Sequence, residues 1–142
     1  MNNGLAAALG IIGDRWALLI LWEIFHGNVR FEHINDQLPV ARNIQTVRLA
    51  GLVDKGVVVK VRYSEKPERF EYHVTEMGRG LFGTILMLKA WGDTWVHGTP
   101  TPLIVHTPCG HPVAPVATCG HCGNEITFEE TRDGQPGSDT GE

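Results

Sequence analysis

The segment Trp16-Ala-Leu-Leu-Ile-Leu-Trp-Glu-Ile-Phe25 carries apolar side chains on nearly every side of a helix. A helix that is apolar all round lies in the middle of a core, and this one is shorter than the roughly 20 residues that span a bilayer. Asp14 can cap it from just before Arg15, because its carboxylate accepts the first free backbone N–H groups. The chain has 142 residues, 42% of them hydrophobic and 20% charged, which suits one globular domain with an appendage.

Shorter helical patterns flank this central helix. A first helix that includes Leu9 and Ile12 should end near Gly13. A third helix covers Phe31–Leu38 and stops at Pro39, since the residue before a proline disfavours helical geometry. A fourth runs from about Asn43 to Lys55, with Gly56 just beyond its end. Three helices are therefore expected to pack around the central one before residue 57.

A hairpin pattern follows the fourth helix. Val57–Tyr63 and Arg69–Val74 are of strand type and flank the polar turn Ser64–Glu68. Thr75 should then cap one long helix that reaches Trp95. The order of these elements predicts a mainly α fold with a small β-hairpin, an α+β winged helix-turn-helix.

The fourth helix has the composition of a DNA-recognition helix. Its inward stripe is predicted to be Ile44, Val47, Leu49, Leu52 and Val53. The opposite face would offer polar side chains to groove edges and phosphates: Arg42, Asn43, Gln45, Thr46 and Arg48. The hairpin tip would act as a wing on flanking phosphate or minor groove through Arg62, Lys66 and Arg69. The alternative is a solvated polar helix face beside an ordinary hairpin.

Charge is divided unevenly along the chain. The formal net charge is −4, but residues 38–69 hold seven Lys and Arg against three Asp and Glu. Residues 99–142 hold one Arg against six acidic residues. Local charge on one face matters more for nucleic-acid binding than the total does. The acidic balance therefore does not exclude double-stranded DNA as a partner.

Several motifs occur in series: Gly13-Asp-Arg-Trp-Ala-Leu-Leu-Ile-Leu21, Arg30-Phe-Glu-His-Ile34, Arg48-Leu-Ala-Gly-Leu52, Tyr63-Ser-Glu-Lys-Pro-Glu-Arg-Phe-Glu-Tyr72 and Thr75-Glu-Met-Gly78. Through about residues 5–95 the sequence resembles the HxlR family of bacterial winged-helix transcriptional regulators. The resemblance implies a sequence-specific repressor or activator that binds a near-palindromic operator. It also implies a homodimer joined by its first and last helices, and it leaves room for a small-molecule or redox effector.

The sequence departs from this family at two places. Ala41 stands where such proteins usually carry a Ser cap before the recognition helix, so Asn43 is expected to cap instead. Many members also carry a sensing Cys near the N-terminus, whereas the first Cys here is Cys109. A thiol switch within the winged-helix part is therefore not expected.

An enzymatic alternative rests on Gly78-Arg-Gly80-Leu-Phe-Gly83, which satisfies the G-x-G-x-x-G pattern of dinucleotide-binding oxidoreductases. Thr75-Glu-Met intervenes where a strand should enter the loop directly, and no acidic strand end follows about 20 residues later. The sequence also contains no convincing nucleophile–base pair or pair of carboxylates. We therefore expect no enzyme, and we expect these glycines to allow close helix packing.

The C-terminal region repeats one pattern, ligand-x-x-ligand-Gly, at His106-Thr-Pro-Cys-Gly110 and Cys119-Gly-His-Cys-Gly123. This spacing lets two side chains reach one ion, and zinc takes four N and S ligands tetrahedrally. We therefore expect one structural zinc in a zinc-ribbon-like β tail, held by His106, Cys109, Cys119 and Cys122. His111 and His121 compete for the fourth position. The alternatives are three free thiols, or a Cys119–Cys122 disulfide in a metal-free hairpin.

Three regions are predicted from these patterns. Residues 1–98 form the DNA-binding and dimerisation domain, residues 99–132 form the zinc-ribbon-like extension, and residues 133–142 form a disordered tail. A protein-interaction module built on the extension is the alternative function. The three clustered Cys and the N-terminus without a basic signal region indicate a cytoplasmic protein with no membrane partner.

Overall fold

The computed structural model describes residues 3–134. The chain forms α1 (Gly4–Ile12), α2 (Arg15–Phe25), α3 (Phe31–Gln37), α4 (Arg42–Asp54), β1 (Val58–Glu65), β2 (Glu68–Val74), α5 (Glu76–Arg79), α6 (Phe82–Gly92), β3 (Val105–His106) and β4 (His111–Pro112). A π-helical turn follows α6 at Asp93–His97, and a 3₁₀ turn lies at Phe128–Glu130. Two compact units divide the chain, one ending at Lys89 and the other beginning at Ala90.

The central helix is α2, as the sequence predicts. One carboxylate oxygen of Asp14 accepts the backbone N–H groups of Trp16 at 2.9 Å and Ala17 at 3.3 Å. Ile20 and Leu21 are fully buried. The core of the first unit gathers around them from the rest of α2, the other helices and the base of the hairpin: Ile12, Ile24, Ile34, Leu49, Leu52, Val57, Val58 and Ile85.

The hairpin is antiparallel, and its strands extend further than predicted. Val58 pairs with Val74 at the base, and the register shifts between Arg62 and Ser64. The strands continue to Glu65 and from Glu68, so the connecting turn is shorter than the predicted polar segment. The Tyr72 N–H donates to the Val29 carbonyl at 2.7 Å, which ties β2 to the α2–α3 connection. These features give the winged helix-turn-helix order, so the α+β prediction is confirmed.

The prediction of a single long helix after the hairpin is wrong. Thr75 does cap a helix, because its hydroxyl oxygen accepts the Gly78 N–H at 3.1 Å. That helix, α5, ends at Arg79, and α6 begins again at Phe82. Gly78 lies where an added Cβ would overlap the Val57 carbonyl. The close packing expected of the glycines is therefore real at Gly78, whereas Gly83 faces open space.

The second unit consists mainly of turns and short strands. Strands β3 and β4 pair through Val105 with Pro112 and His106 with His111. A further antiparallel bridge joins Thr118 and Glu125. The predicted boundary after residue 98 falls inside this unit, and most of the tail predicted to be disordered, residues 135–142, lies outside the described residues.

Within residues 3–134 no single helix is both long and apolar enough to cross a bilayer. Only α1 and α2 taken together reach that length, and they are bent by 78°.

Candidate nucleic-acid interface and metal site

The helix α4 is rotated about its axis relative to the sequence prediction. Gln45, Leu49 and Leu52 form its buried stripe, at the i, i+4, i+7 spacing of one helix face. Ile44 is 37% exposed and Val47 is 61% exposed. The predicted inward positions of Ile44 and Val47 and the predicted outward position of Gln45 are therefore wrong. The spacing of residues 45, 49 and 52 does indicate a buried helix face, but using it requires treating a glutamine as a core residue.

Gln45 is fully buried, and hydrogen bonds satisfy its amide. Its Nε2 donates to the Phe31 carbonyl at 2.8 Å, and its Oε1 accepts from Asn35 Nδ2 at 2.9 Å. Asn35 Nδ2 also donates to the Val40 carbonyl at 3.1 Å. A buried polar group needs such partners, because leaving one unpaired costs about 1–3 kcal/mol. Gln45 thus joins the two helices of the helix-turn-helix and cannot reach a base edge.

Arg42 begins α4 and forms a paired contact with Glu32 of α3. Its Nη1 and Nη2 lie 2.8 and 2.6 Å from the two Glu32 carboxylate oxygens, and its guanidinium lies 4.9 Å from the centre of the Phe31 ring. The hydrogen bond from Arg42 lowers the pKa of Glu32, and the same bond raises the pKa of Arg42. Both side chains are exposed, so phosphate can compete for this arginine.

The start of α4 lacks the predicted side-chain cap. The residue at the cap position is Ala41, and Asn43 is already helical and exposed, so the expectation that Asn43 caps the helix is wrong. Thr46 is exposed as well, and its hydroxyl donates to the Arg42 carbonyl one turn earlier at 2.9 Å. Asn43 therefore keeps its side chain on the outer face, where a base edge can be reached.

Arg48 lies at the border between the buried and the outer face of α4. Its Nε is 3.0 Å from Asp14 Oδ1, at the start of α2. The two side chains are 41% and 35% exposed, and their geometry is that of an ion pair rather than a hydrogen bond. This pairing directs the Arg48 guanidinium towards α2 instead of away from the helix.

The hairpin exposes the three basic side chains that the sequence pattern assigned to a wing. Arg62 pairs with Glu68 at 3.0 Å, while Lys66 and Arg69 are exposed near the turn. Arg30, just before α3, lies 4.2 Å from the centre of the Tyr63 ring and 3.3 Å from Glu71. An open cleft of about 580 Å³ separates α3 from this hairpin and includes Arg30 and Arg69 in its lining.

The second unit forms each predicted ligand pair as a separate turn. His106 Nδ1 lies 3.5 Å from Cys109 Sγ. The Gly110 N–H donates to the His106 carbonyl at 2.8 Å, and the Gly123 N–H donates to the Cys119 carbonyl at 2.8 Å. Both glycines have positive φ, +71° and +74°, which glycine adopts without strain. The two turns thus share a closing backbone hydrogen bond and a glycine of positive φ.

The second of these turns changes the pKa of the Cys119 thiol. The backbone N–H of Cys122, and next that of His121, donate hydrogen bonds that lower the pKa of Cys119. All three cysteines are free thiols, so the Cys119–Cys122 disulfide is not formed. Across the described chain, no three His, Cys, Asp or Glu side chains are gathered around one point where a metal could bind. The structure therefore forms two ligand pairs without a joint site.

The dinucleotide alternative does not fit the fold. The sheets formed by the described residues are two-stranded and antiparallel, whereas a dinucleotide site requires parallel strands joined by a crossover helix. Gly78 and Gly80 belong to the end of α5, and Gly83 lies in α6. The G-x-G-x-x-G pattern is thus divided between two helices.

Known proteins resemble this chain over both units. An uncharacterized HTH-type transcriptional regulator of Mycobacterium tuberculosis, Rv3095, is 45% identical over 89% of this chain and 81% of its own length. YtcD of Bacillus subtilis, also an uncharacterized HTH-type transcriptional regulator, is 34% identical over 68% of this chain and 77% of its length. The Rv3095 alignment extends beyond residue 98, because residues 1–98 are too few to account for that coverage.

Solved structures agree with these sequence relatives. The crystal structure of PA1607, a candidate transcription factor, matches with a TM-score of 0.84 at 31% identity and covers 94% of this chain and 95% of its own. The redox regulator HypR in its reduced form matches with a TM-score of 0.61 at 28% identity, over 65% of this chain and 92% of its own. The sequence profile described as HxlR-like helix-turn-helix matches residues 11–100. The chain therefore belongs to the HxlR-like helix-turn-helix family of transcriptional regulators.

Proposed function

We propose that this protein binds a specific DNA sequence through α4 and the wing, as a homodimer on a near-palindromic operator. The observation that carries the proposal is the outer face of α4, where Asn43, Thr46 and Val47 are exposed in the N-terminal half while Gln45 holds the helix on α3. The N-terminal residues of a recognition helix are the ones that contact base edges in helix-turn-helix proteins. Such an activity belongs in the cytoplasm, where bacterial DNA lies.

The basic side chains around this face supply the phosphate contacts. Lys66 and Arg69 lie on the wing, and Arg42 is held by a solvent-exposed ion pair, which a phosphate can replace, and by its contact with the Phe31 ring. Arg62 is likewise exposed beside Glu68. Each phosphate that is neutralised releases condensed counterions, so binding should weaken steeply with salt. Charge on this face outweighs the acidic total of the chain.

The dimer is supported by apolar side chains that each unit leaves exposed. In the first unit Leu5 and Leu9 of α1 are 70% and 54% exposed, and Leu88 of α6 is 54% exposed. In the second unit Trp91 and Trp95 are 58% and 75% exposed. Large exposed apolar side chains grouped on helices are typical of protein interfaces. A two-fold dimer would also double the length of DNA that one recognition helix reads.

Selection of binding sites from a random duplex library tests the proposal directly. We expect an enriched inverted repeat and a 2:1 protein-to-duplex complex. Lys66→Gln should keep the sequence preference and reduce the log–log salt slope by roughly 1.8, about 0.9 for each copy. Arg132→Gln, which removes a positive charge from an exposed position of the second unit, is the control. If no sequence is enriched at modest salt, the regulator proposal is rejected and a protein-interaction module is preferred.

We also propose that the second unit binds one structural zinc through His106, Cys109, Cys119 and Cys122. The support is the shared turn geometry of the two ligand pairs and the backbone N–H groups donated to Cys119, which favour thiolate. Four protein ligands would leave no position for water or substrate. The acidic residues Glu125, Glu129 and Glu130 would repel DNA phosphate. The second unit would therefore stabilise the dimer or bind another protein. Oxidation of its cysteine thiolates would make the zinc site redox-sensitive.

Elemental analysis of protein purified without chelator tests the zinc site. We expect about one zinc per chain, and loss of metal from His106→Ala but not from His111→Ala or His121→Ala. A zinc content near zero with three titratable thiols in the folded protein would reject the site. Loss of metal from His111→Ala alone would move the fourth ligand to His111, the cross-strand partner of His106.

A further inference from the structure

The middle of the outer face of α4 is apolar. Val47 lies opposite the buried stripe and one turn after Asn43, and it is 61% exposed. Ile44, at the edge of the same face, is 37% exposed, and Ala50 one turn further along is exposed as well. Val47, at the centre of this face, is not part of the hydrophobic core of the first unit.

Polar groups that could dominate base contacts in this half of the helix are engaged elsewhere. The Arg42 guanidinium is paired with Glu32, and the Thr46 hydroxyl donates to the Arg42 carbonyl. Gln45 is buried, and Arg48 is directed to Asp14. Asn43 and the exposed Thr46 are the polar side chains beside Ile44 and Val47, and the Thr46 hydroxyl hydrogen is already used within the helix. The helix thus offers one free amide and two branched aliphatic groups to the major groove.

We propose that Val47 and Ile44 are specificity-determining residues that contact the C5-methyl groups of thymines in each operator half-site. Thymine is the base whose major-groove edge carries a methyl group, and aliphatic side chains are its natural contacts. Valine and isoleucine in a helix have one strongly preferred χ1 rotamer, so the contact restricts little further motion. The inference rests on the proposed DNA binding and adds the base that is read.

A second copy of the chain is the competing occupant of this face. Val47 and Leu9 both line an open groove of about 290 Å³ between α1 and α4. A protein contact there would make Val47 sensitive to oligomeric state and not to thymine. The positions of Ile44 and Val47 in the N-terminal half of α4, the part that contacts base edges, favour DNA.

The test compares thymine with deoxyuridine, which differs by this methyl group alone. The selected operator is resynthesised with deoxyuridine at each half-site thymine in turn, and wild-type, Val47→Ala, Ile44→Ala and Met77→Ala proteins are titrated against each duplex. Met77 of α5 is 53% exposed and serves as the matched control for loss of an exposed aliphatic side chain. Melting temperature and sedimentation check that each variant remains folded and keeps the wild-type oligomeric state.

We expect at least one thymine whose replacement weakens wild-type binding about fourfold, the effect of one buried methyl at ~0.8 kcal/mol. Val47→Ala or Ile44→Ala should abolish that difference, and Met77→Ala should preserve it. Enrichment of an operator with no deoxyuridine effect at any position overturns the inference while leaving DNA binding intact. So does a Val47→Ala protein that changes oligomeric state and keeps the thymine preference. Failure to enrich any sequence rejects the proposed function itself.

Discussion

Arg48 Nε lies 3.0 Å from Asp14 Oδ1, the same oxygen that accepts the backbone N–H groups of Trp16 and Ala17. One carboxylate therefore starts the central helix and holds the recognition helix beside it. The two contributions can be separated, because asparagine caps a helix about as well as aspartate but carries no charge.

Replacement of Asp14 should therefore have graded effects. Asp14→Ala should lower the free energy of unfolding by about 1–2 kcal/mol, about 1 from the lost cap and the rest from the half-exposed ion pair. Asp14→Asn should cost less than half as much. Urea denaturation measures both. Equal losses for the two variants would mean that the ion pair, and not the cap, carries the stability.

Gln45→Ala should destabilise the first unit by about 2–4 kcal/mol, because it leaves a buried cavity and removes the partner of the Phe31 carbonyl. Asn43→Ala, two residues earlier and exposed, should change stability by less than about 0.5 kcal/mol and instead weaken operator binding. Thermal unfolding and DNA titration of both variants provide the comparison. A Gln45→Ala protein that is as stable as wild type but has a relaxed base preference would contradict the buried role of Gln45 and indicate that it contacts a base.

The opposite placements of Gln45 and Val47 show which features of the fold the sequence alone could predict and which it could not. The apolar run from Trp16 to Phe25, the Asp14 cap, the Gly13 break and the positive-φ Gly56 after α4 are local signals, and each was predicted. The rotation of α4 was not, because hydrophobicity assigned Ile44 and Val47 to the core. Only the partners on α3, Asn35 and the Phe31 carbonyl, make a buried glutamine favourable, and those are tertiary contacts.

The end of the fold was missed for a related reason. Apolar residues continue from Leu81 to Trp95, so periodicity favoured one helix, yet α5 and α6 are separate. The close approach of Gly78 to the Val57 carbonyl fixes α5 against the hairpin base, and helical periodicity carries no information about that contact. Ligand spacing, in contrast, was enough to predict both turns of the second unit.

Two glycines within six residues should respond oppositely to alanine. Gly78→Ala places a methyl group into the Val57 carbonyl, so we expect a loss of about 2–3 kcal/mol as the backbone shifts. Gly83→Ala lies in α6 with nothing near its added Cβ, and it should stabilise by about 0.5–1 kcal/mol because alanine favours the helix. Chemical denaturation of the two variants decides the matter. Equal effects would contradict the close approach at Gly78.

The pKa of the Cys119 thiol in metal-free protein should be lower in the folded chain than in the unfolded chain. Hydrogen bonds from the backbone N–H groups of Cys122 and His121 lower the pKa of Cys119, so its thiolate fraction at pH 7 exceeds that of an ordinary cysteine. The alkylation rate of Cys119 by iodoacetamide should therefore rise at lower pH in the folded protein than in urea-unfolded protein. Peptide mapping after partial alkylation of chelator-treated protein gives both rates. Identical pH–rate profiles would contradict the assignment.

The buried amide of Gln45 has a consequence for regulation. It bonds to the Phe31 carbonyl at the start of α3 and to Asn35 about one turn later, so these hydrogen bonds tie α4 to α3 inside the core. An effector that tilted α4 alone would have to break these two hydrogen bonds of Gln45 inside the core. In the proposed dimer, control would instead act on the distance between the two copies of α4, which would have to match about 34–36 Å, one turn of DNA.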